Sequence, residues 1–185
     1  MAAGFEPEFT NLLRGSLHQD SVFLDVGAQF GYYTLLAAPL VRRVVAVEPK
    51  ASACATLREN VLTAGLDNVT VIEKPLFSVA ARGYIGRKDK FVVSPTGLLE
   101  AITLDSLSLH PTVIKIDVEG AEYDVLVGGQ KTLSRIKPLL LLELHTHKIK
   151  DFGHGKKEVW ALLGDLGYEI TLLGKRGPCR FIKAS

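Results

Sequence analysis

The sequence predicts an α/β fold: a mostly parallel seven-stranded sheet with helices on both faces and a C-terminal antiparallel hairpin. Short apolar runs alternate with segments of helical spacing, which indicates a parallel sheet with right-handed crossovers. A strand at 22–26 leads into a loop with two glycines, which is how a parallel strand opens the first helix of a nucleotide-binding unit. Two apolar runs near the C terminus flank the short segment 174–177, and this predicts the hairpin.

Each element follows from a pattern of its own. Phe5, Phe9, Leu12 and Leu13 lie on one face of a short helix that begins near Pro7. Apolar runs predict sheet strands at 22–26, 44–47, 69–72, 113–118, 139–144, 168–173 and 179–183. The run at 139–144 is the most apolar, so we expect it at the centre of the sheet. Helices are predicted after each of the first two strands, over 120–134 and before Gly167, and a small basic hairpin over 84–93.

Length and composition fit one globular domain spanning residues 1–185. The net charge of +2 is too small to argue for nucleic-acid binding by itself. The two cysteines, Cys54 and Cys179, are far apart and show no metal-ligand spacing. No secretory signal or bilayer-spanning run is apparent, so we expect a cytoplasmic protein with no membrane partner. The sequence makes no prediction about oligomeric state.

The glycine loop has the spacing Gly27-x-x-x-Gly31, and Asp25 stands two residues before its first glycine. A dinucleotide-binding loop would need Gly-x-Gly-x-x-Gly, and the middle glycine is missing. We expect the glycines to let the backbone come close to a ligand. An acid at Asp25 would attract an amine and repel a pyrophosphate. S-adenosylmethionine therefore fits this loop better than NAD.

Glu48 stands at the end of the second strand, seventeen positions after Gly31. A carboxylate at this place can accept hydrogen bonds from both hydroxyls of a ribose. The alternative is an acid that only caps the following helix. The glycine loop at the matching place favours the ribose role.

Acids and a histidine follow the next two parallel strands. Alternation places Lys115 and Asp117 on the same side of the strand at 113–118, and His145 ends the following strand. Ligands of open α/β sheets bind beyond such strand ends. Asp117, Glu143 and His145 are compatible with a divalent metal, and a lone His145 is equally compatible with a general base. A metal is therefore left open and is not predicted.

These motifs resemble the FkbM family of S-adenosylmethionine-dependent methyltransferases. The matching segments follow in the family's order at 24–28, 31–34, 45–49, 68–69, 103–107, 114–122 and 142–145. The block from Lys115 to Glu122, Lys-Ile-Asp-Val-Glu-Gly-Ala-Glu, is the most specific of them. The resemblance implies a Rossmann-like class I methyltransferase fold and methyl transfer, typically to a hydroxyl oxygen of a sugar or another small-molecule acceptor.

The resemblance also implies roles for individual residues. The cofactor-binding residues are Asp25, Gly27, Ala28, Gly31, Tyr32, Glu48, Pro49 and Leu76. Asp25 and the glycines would lie at the methionine end, Glu48 at the ribose, and the segment with Leu76 near the adenine. Asp117, Glu119 and His145 would hold the acceptor and take its proton, with His145 the better base by its unperturbed pKa.

Two other functions remain open at this level. The basic hairpin at 82–90, with Arg82, Arg87, Lys88 and Lys90, would suit an RNA methyltransferase, although nucleic acid is the less favoured partner. A non-enzymatic module could keep the fold and lose the cofactor. The intact loop residues and Glu48 argue against that alternative.

Overall fold

We describe a computed structural model over residues 7–87, 90–177 and 179–185. The strands are β1 (Val22–Val26), β2 (Arg43–Val47), β3 (Val69–Ile72), β4 (Ala81–Ile85), β5 (Phe91–Val93), β6 (Leu99–Ala101), β7 (Val113–Ile116), β8 (Leu139–His145), β9 (Ile170–Arg176) and β10 (Cys179–Ala184). The α-helices are α1 (Pro7–Ser16), α2 (Tyr32–Ala37), α3 (Ala51–Thr63), α4 (Glu122–Val127), α5 (Gln130–Ile136) and α6 (Lys156–Asp165). None of these described helices is long and apolar enough to cross a membrane.

The main sheet has seven strands in the order β3-β2-β1-β7-β8-β10-β9. The first five strands are parallel to one another, and β10 runs antiparallel to both β8 and β9. This confirms the predicted mostly parallel sheet with its C-terminal antiparallel hairpin. Every predicted strand of this sheet is present, with bounds that differ by three residues at most.

Successive side chains along each strand point to opposite faces of the sheet, and each face packs against helices. Leu24 and its neighbours on one face pack against Val125 of α4, Leu133 of α5 and Leu163 of α6. Phe23 on the other face packs with α1 and α2, and Leu57 of α3 covers the same side near β2. The predicted helices on both faces are therefore confirmed.

The prediction that the run 139–144 forms the central strand was wrong by one position. The middle strand is β7, and β8 lies next to it. Both strands are covered on both faces, and residues 140–145 of β8 are all buried. A strong apolar run therefore reports burial on two faces, and it does not report the position of a strand within the sheet.

The single helix predicted over 120–134 was also wrong, because α4 and α5 are separated by Gly128 and Gly129. A Cβ atom at Gly128 would lie 2.2 Å from the carbonyl oxygen of Phe77. The glycine thus lets the segment after β3 approach the helix. Asp105 then caps α5, since its carboxylate accepts hydrogen bonds from the backbone N–H groups of Lys131 and Thr132.

A small second sheet, in the order β5-β4-β6, lies between β3 and β7 in the chain. The β4–β5 hairpin confirms the prediction at 84–93, whereas β6 was not predicted. Ile102, just after β6, forms a bridge with Leu76 and exchanges backbone hydrogen bonds with Pro75 and Phe77. Two residues named in the sequence analysis, Phe5 and Lys88, lie outside the described residues, as do Asp89 and Pro178.

Candidate active site

A cleft opens at the carboxyl ends of the parallel strands. Its floor is formed by the segments that follow β1, β2 and β7. Its walls come from the segment after β3 and from the small sheet, and they include the apolar side chains of Leu76, Ile85 and Phe91. The cleft thus combines apolar walls with acids at its base.

Gly27 fixes the path of the loop after β1. Its backbone has a φ of +79°, and the N–H groups of Gly27 and Ala28 both donate to the carbonyl oxygen of Val47. A Cβ atom at Gly27 would lie 1.7 Å from the carbonyl oxygen of Asp117. The expectation that this glycine leaves room for a ligand therefore needs correction, because the space is taken by the backbone that follows β7.

Gly31 also serves packing. Its φ of +96° precedes α2, and a Cβ atom there would lie 2.4 Å from Cδ1 of Leu57 on α3. Only glycine combines this left-handed backbone with so close a neighbour. Gly31 therefore sets the angle at which α2 leaves the loop, and it lies outside the residues that line the cleft.

Glu48 joins two loops at the base of the cleft. The side chain is buried, and its two oxygens accept hydrogen bonds of 3.0 Å from the backbone N–H groups of Gln29 and Lys50. Burial raises the pKa of the Glu48 carboxyl above its ordinary value, although both backbone hydrogen bonds lower it. A carboxylate held in this way keeps lone pairs for further hydrogen bonds from a ligand in the cleft.

Asp25 lies beneath the loop and does not line the cleft. Its carboxylate is fully buried, accepts a 2.7 Å hydrogen bond from Thr34 Oγ1 and lies 3.2 Å from Lys115 Nζ. The same Nζ atom donates to the carbonyl oxygen of Gly27. Burial lowers the pKa of Lys115, but the neighbouring carboxylates of Asp25 and Asp117 outweigh this and leave it raised. The pair therefore supports the loop from below.

His145 is surrounded by carboxylates. Its Nδ1 atom lies 2.8 Å from Glu122 Oε1, and its Nε2 atom lies 3.3 Å from Glu119, 3.8 Å from Glu143 and 3.9 Å from Asp117. Burial lowers the pKa of the imidazole, but the hydrogen bond to Glu122 and the charges of Asp117 and Glu119 raise it to about 9. The argument for His145 as a base with an unperturbed pKa therefore fails, because the surrounding carboxylates raise the pKa of the ring.

The turn after β7 places the side chains of Asp117 and Glu119 at the surface of the cleft. Glu119 has a φ of +56°, in the left-handed region that non-glycine residues rarely occupy, and Gly120 follows at +112°. Glu119 and Asp117 both line the cleft, and Lys148 contacts the Glu119 carboxylate. A strained backbone at such a point is typical of functional sites.

The structure brings most of the predicted site residues to one place. Those that line the cleft are Gly27, Glu48, Pro49, Leu76, Asp117 and Glu119. Ala28 and Tyr32 line an adjoining depression that shares Gly27 and Asp117 with the cleft. Asp25, Gly31 and His145 lie behind these surfaces.

Two charged residues of the site were absent from the predicted set. Glu122 is fully buried against His145, and Lys115 is buried between β1 and the loop. The sequence signal for Glu122 was ambiguous, because an acid in the first turn of a helix is favoured on any surface. Lys115 was visible as a charge inside an apolar strand, which indicates a buried partner.

Comparison with known proteins places the chain among methyltransferases. A family model described as the methyltransferase FkbM domain matches residues 25–170. No match is found among curated protein sequences.

Solved structures with similar folds include several methyltransferases. A Methyltransferase FkbM from Methylobacillus flagellatus KT superposes with a TM-score of 0.69 at 20% identity, over 90% of this chain and 44% of that longer one. A precorrin-6y C5,15-methyltransferase from Geobacter metallireducens gives 0.64 at 18% identity, over 100% of this chain and 90% of the other. A candidate methyltransferase from Streptococcus mutans, solved in complex with SAH, gives 0.60 at 15% identity, over 95% and 93%. At these identities the likeness shows the shared fold.

Proposed function

The chain belongs to the FkbM family of S-adenosylmethionine-dependent methyltransferases, and from this premise we propose that it methylates a hydroxyl oxygen of a sugar or another small molecule. The observation that carries the proposal is the arrangement of Glu48, Asp117 and Glu119 around one cleft with apolar walls. The first acid suits a ribose, and the other two suit an acceptor hydroxyl.

The cleft residues fit S-adenosylmethionine, which supplies a methyl group on a positively charged sulfur. Glu48 would accept hydrogen bonds from the ribose hydroxyls, since its oxygens are already oriented by Gln29 and Lys50. Leu76 and Phe91, both buried, would enclose the adenine ring. Asp117 and the loop at Gly27 would lie at the methionine end, where carboxylates favour positive charge.

The acids after β7 would serve the acceptor. Its hydroxyl oxygen forms a bond to the methyl carbon as the carbon–sulfur bond breaks, and the electron pair of that bond passes to sulfur. The hydroxyl proton would pass to the carboxylate of Asp117 or Glu119, which both lie within 4 Å of Nε2 of His145. The protein contributes by holding oxygen and methyl group in line at short range.

The proposal is tested first by calorimetry with S-adenosylmethionine, where we expect one binding site per chain. Cofactor with an isotopically labelled methyl group is then offered with matched small acceptors that carry a hydroxyl, an amine or a carboxylate. We expect labelled product from hydroxyl acceptors, identified by mass spectrometry. Methylation of amines or carboxylates alone would contradict the oxygen assignment, and absence of cofactor binding would contradict the cofactor assignment.

The RNA alternative has less support from the described residues. Arg82 lies 3.9 Å from Glu100, and Lys90 donates to the carbonyl oxygen of Asp151 with its amine over the ring of Phe152. Two of the basic groups are therefore engaged within the chain itself. A small-molecule acceptor remains the better proposal.

A further inference from the structure

We propose that Asp117, Glu119 and His145 form a binding site for one divalent metal ion, of the Mn²⁺ type, that holds the acceptor hydroxyl. The role of the ion rests on the function proposed above, whereas the binding of the ion does not. One carboxylate oxygen from each acid and Nε2 of the histidine would be the ligands.

The three ligand atoms are already close together. One carboxylate oxygen of each acid and a ring nitrogen of His145 all lie within 4.8 Å of one another. Ligands on opposite sides of an ion at about 2.1 Å are about 4.2 Å apart, so small rotations of the side chains suffice. Asp117 and Glu119 line the cleft, and the ion would therefore be open to a ligand on that side.

Glu122 provides an independent observation. Its side chain is fully buried, Oε1 contacts Nδ1 of His145 at 2.8 Å, and Oε2 has no hydrogen-bond partner within the described part of the chain. A carboxylate that accepts from one ring nitrogen directs the other nitrogen outward with a free lone pair, which is the usual support of a metal-binding histidine. Orientation of the His145 ring for metal binding would therefore explain why Glu122 is buried despite the free-energy cost of burying a carboxylate.

The balance of charge points to a cation. Four carboxylates, those of Asp117, Glu119, Glu122 and Glu143, lie within 4 Å of one imidazole ring. Lys148 contacts Glu119, and Lys115 is shared between Asp117 and Asp25. Among the described residues, Asp25, Asp117, Glu119 and Glu122 are four negative groups, against three positive groups even when His145 is charged. A divalent ion would offset the remainder at a place with little solvent.

A second ligand set at the same histidine is less suitable. Glu143, His145 and Cys179 also come within 4.8 Å of one another, but all three are buried. An ion held there would have no access to an acceptor in the cleft. Oxygen and imidazole ligands, without a thiolate, favour Mn²⁺ over softer ions.

The ion would act on the acceptor by coordination. Binding of a hydroxyl oxygen to a divalent ion would lower the pKa of that hydroxyl, so its proton would be lost more readily to solvent or to the oxygen of Glu119 that does not bind the ion. The oxygen then forms its bond to the methyl carbon as the carbon–sulfur bond breaks. An acceptor with a second oxygen next to the hydroxyl would chelate the ion, and such acceptors should be preferred.

The test is a titration of the metal-stripped protein with Mn²⁺, in which electron paramagnetic resonance measures the concentration of unbound ion at each step. We expect one saturable site per chain. His145→Gln, Asp117→Asn and Glu119→Gln should each weaken binding about tenfold or more, and Glu122→Gln about 10- to 100-fold. Lys148→Gln should tighten binding, because it removes the amine that competes for Glu119.

Cys179→Ser and Glu100→Gln are the controls and should leave the affinity unchanged. Glu119→Gln is the decisive variant, because Glu119 is partly exposed and its loss should leave the fold intact by circular dichroism. Absence of a saturable site, or full affinity in Glu119→Gln, would overturn the proposal, and so would weakening by Cys179→Ser alone.

The metal and the methyl transfer can fail separately. Methylation of a hydroxyl at an unchanged rate in excess chelator would overturn the metal proposal and leave the proposed function standing. A saturable Mn²⁺ site of the expected composition supports the metal site even if only amine acceptors are methylated, and that second result would overturn the oxygen assignment.

Discussion

Lys115 Nζ lies 3.2 Å from Asp25 Oδ1, and these two residues are also register partners on the adjacent strands β7 and β1. Neither side chain is accessible to any appreciable extent. The ion pair therefore crosses the centre of the sheet directly below the glycine loop. The ammonium group of Lys115 also donates a hydrogen bond to the carbonyl oxygen of Gly27, so the ion pair is connected to the loop above it.

We predict that Lys115→Met destabilises the protein by about 3–5 kcal/mol, because it leaves a buried carboxylate without its partner. The double variant Lys115→Met with Asp25→Asn should recover part of this loss. Urea denaturation of both variants measures the effect. An unchanged urea midpoint for Lys115→Met would contradict the prediction, because it would show that the buried carboxylate of Asp25 does not need Lys115 as its partner.

Glu48→Ala should weaken S-adenosylmethionine binding by about 2 kcal/mol, as expected for loss of a charge-assisted hydrogen-bonding partner. Isothermal titration calorimetry measures this. Glu59→Ala, an exposed acid on the helix that follows, is the matched control and should bind normally. Equal affinity in the two variants, both folded, would remove Glu48 from the binding site.

The affinity for the cofactor should also depend on pH through Glu48. Burial raises the pKa of this carboxyl, so protonation begins at a higher pH than for an ordinary glutamate. The ionised form is the better acceptor for ribose hydroxyls. Affinity should therefore be full above this raised pKa and fall as the pH decreases through it. Glu48→Gln should have a flatter pH profile by calorimetry, and an identical profile would contradict the assignment.

Gly27→Ala should cost about 3 kcal/mol or more of folding stability, from the left-handed backbone and the contact with the Asp117 carbonyl oxygen. Gly164→Ala on α6 is the control, since a Cβ atom there meets nothing within 4 Å. That change should stabilise the helix by about 0.5–1 kcal/mol. Thermal unfolding distinguishes the two. A Gly27 variant of normal stability would mean that the loop after β1 can move away from β7.

His145→Ala should leave cofactor affinity nearly unchanged and lower turnover about a hundredfold, because it removes a ligand of the metal ion proposed above to bind the acceptor. The measurement is methyl transfer to an acceptor identified as described above. Separately, His154→Ala tests whether any nearby histidine has this effect, since His154 lies near Asp124 and away from the cleft. Full turnover in His145→Ala would remove it from the reaction.

Much of the fold was predictable because the strands of a doubly covered sheet are continuous apolar runs. β3 was predicted with its observed bounds, and the final hairpin followed from a short polar connection. The break between α4 and α5 was not, because Gly128 is required by a contact with Phe77 that lies far away in the chain. β6 was missed because three residues with one buried side chain give no periodic signal.

The position of the site could be predicted from the sequence, but the role of each acid within the site could not. Glu48 and Asp117 follow parallel strands, and topology alone places them at one edge. Whether an acid faces a ligand or another side chain depends on packing, and Asp25 turned out to face Lys115. The pKa of His145 depends on Asp117, Glu119 and Glu122, and the sequence does not show that the imidazole of the next strand lies among these three acids.

The two walls of the cleft are attached to the rest of the protein in different ways. Leu76 continues from β3 and is fixed by the bridge to Ile102, whereas Phe91 belongs to β5, an edge strand that pairs with β4 in the small sheet. Edge strands with a single neighbour open more often than core strands, and their amides exchange with solvent faster. We therefore expect the wall formed by the β4–β5 hairpin to open more readily than the wall at Leu76, and ligands to enter and leave the cleft on that side.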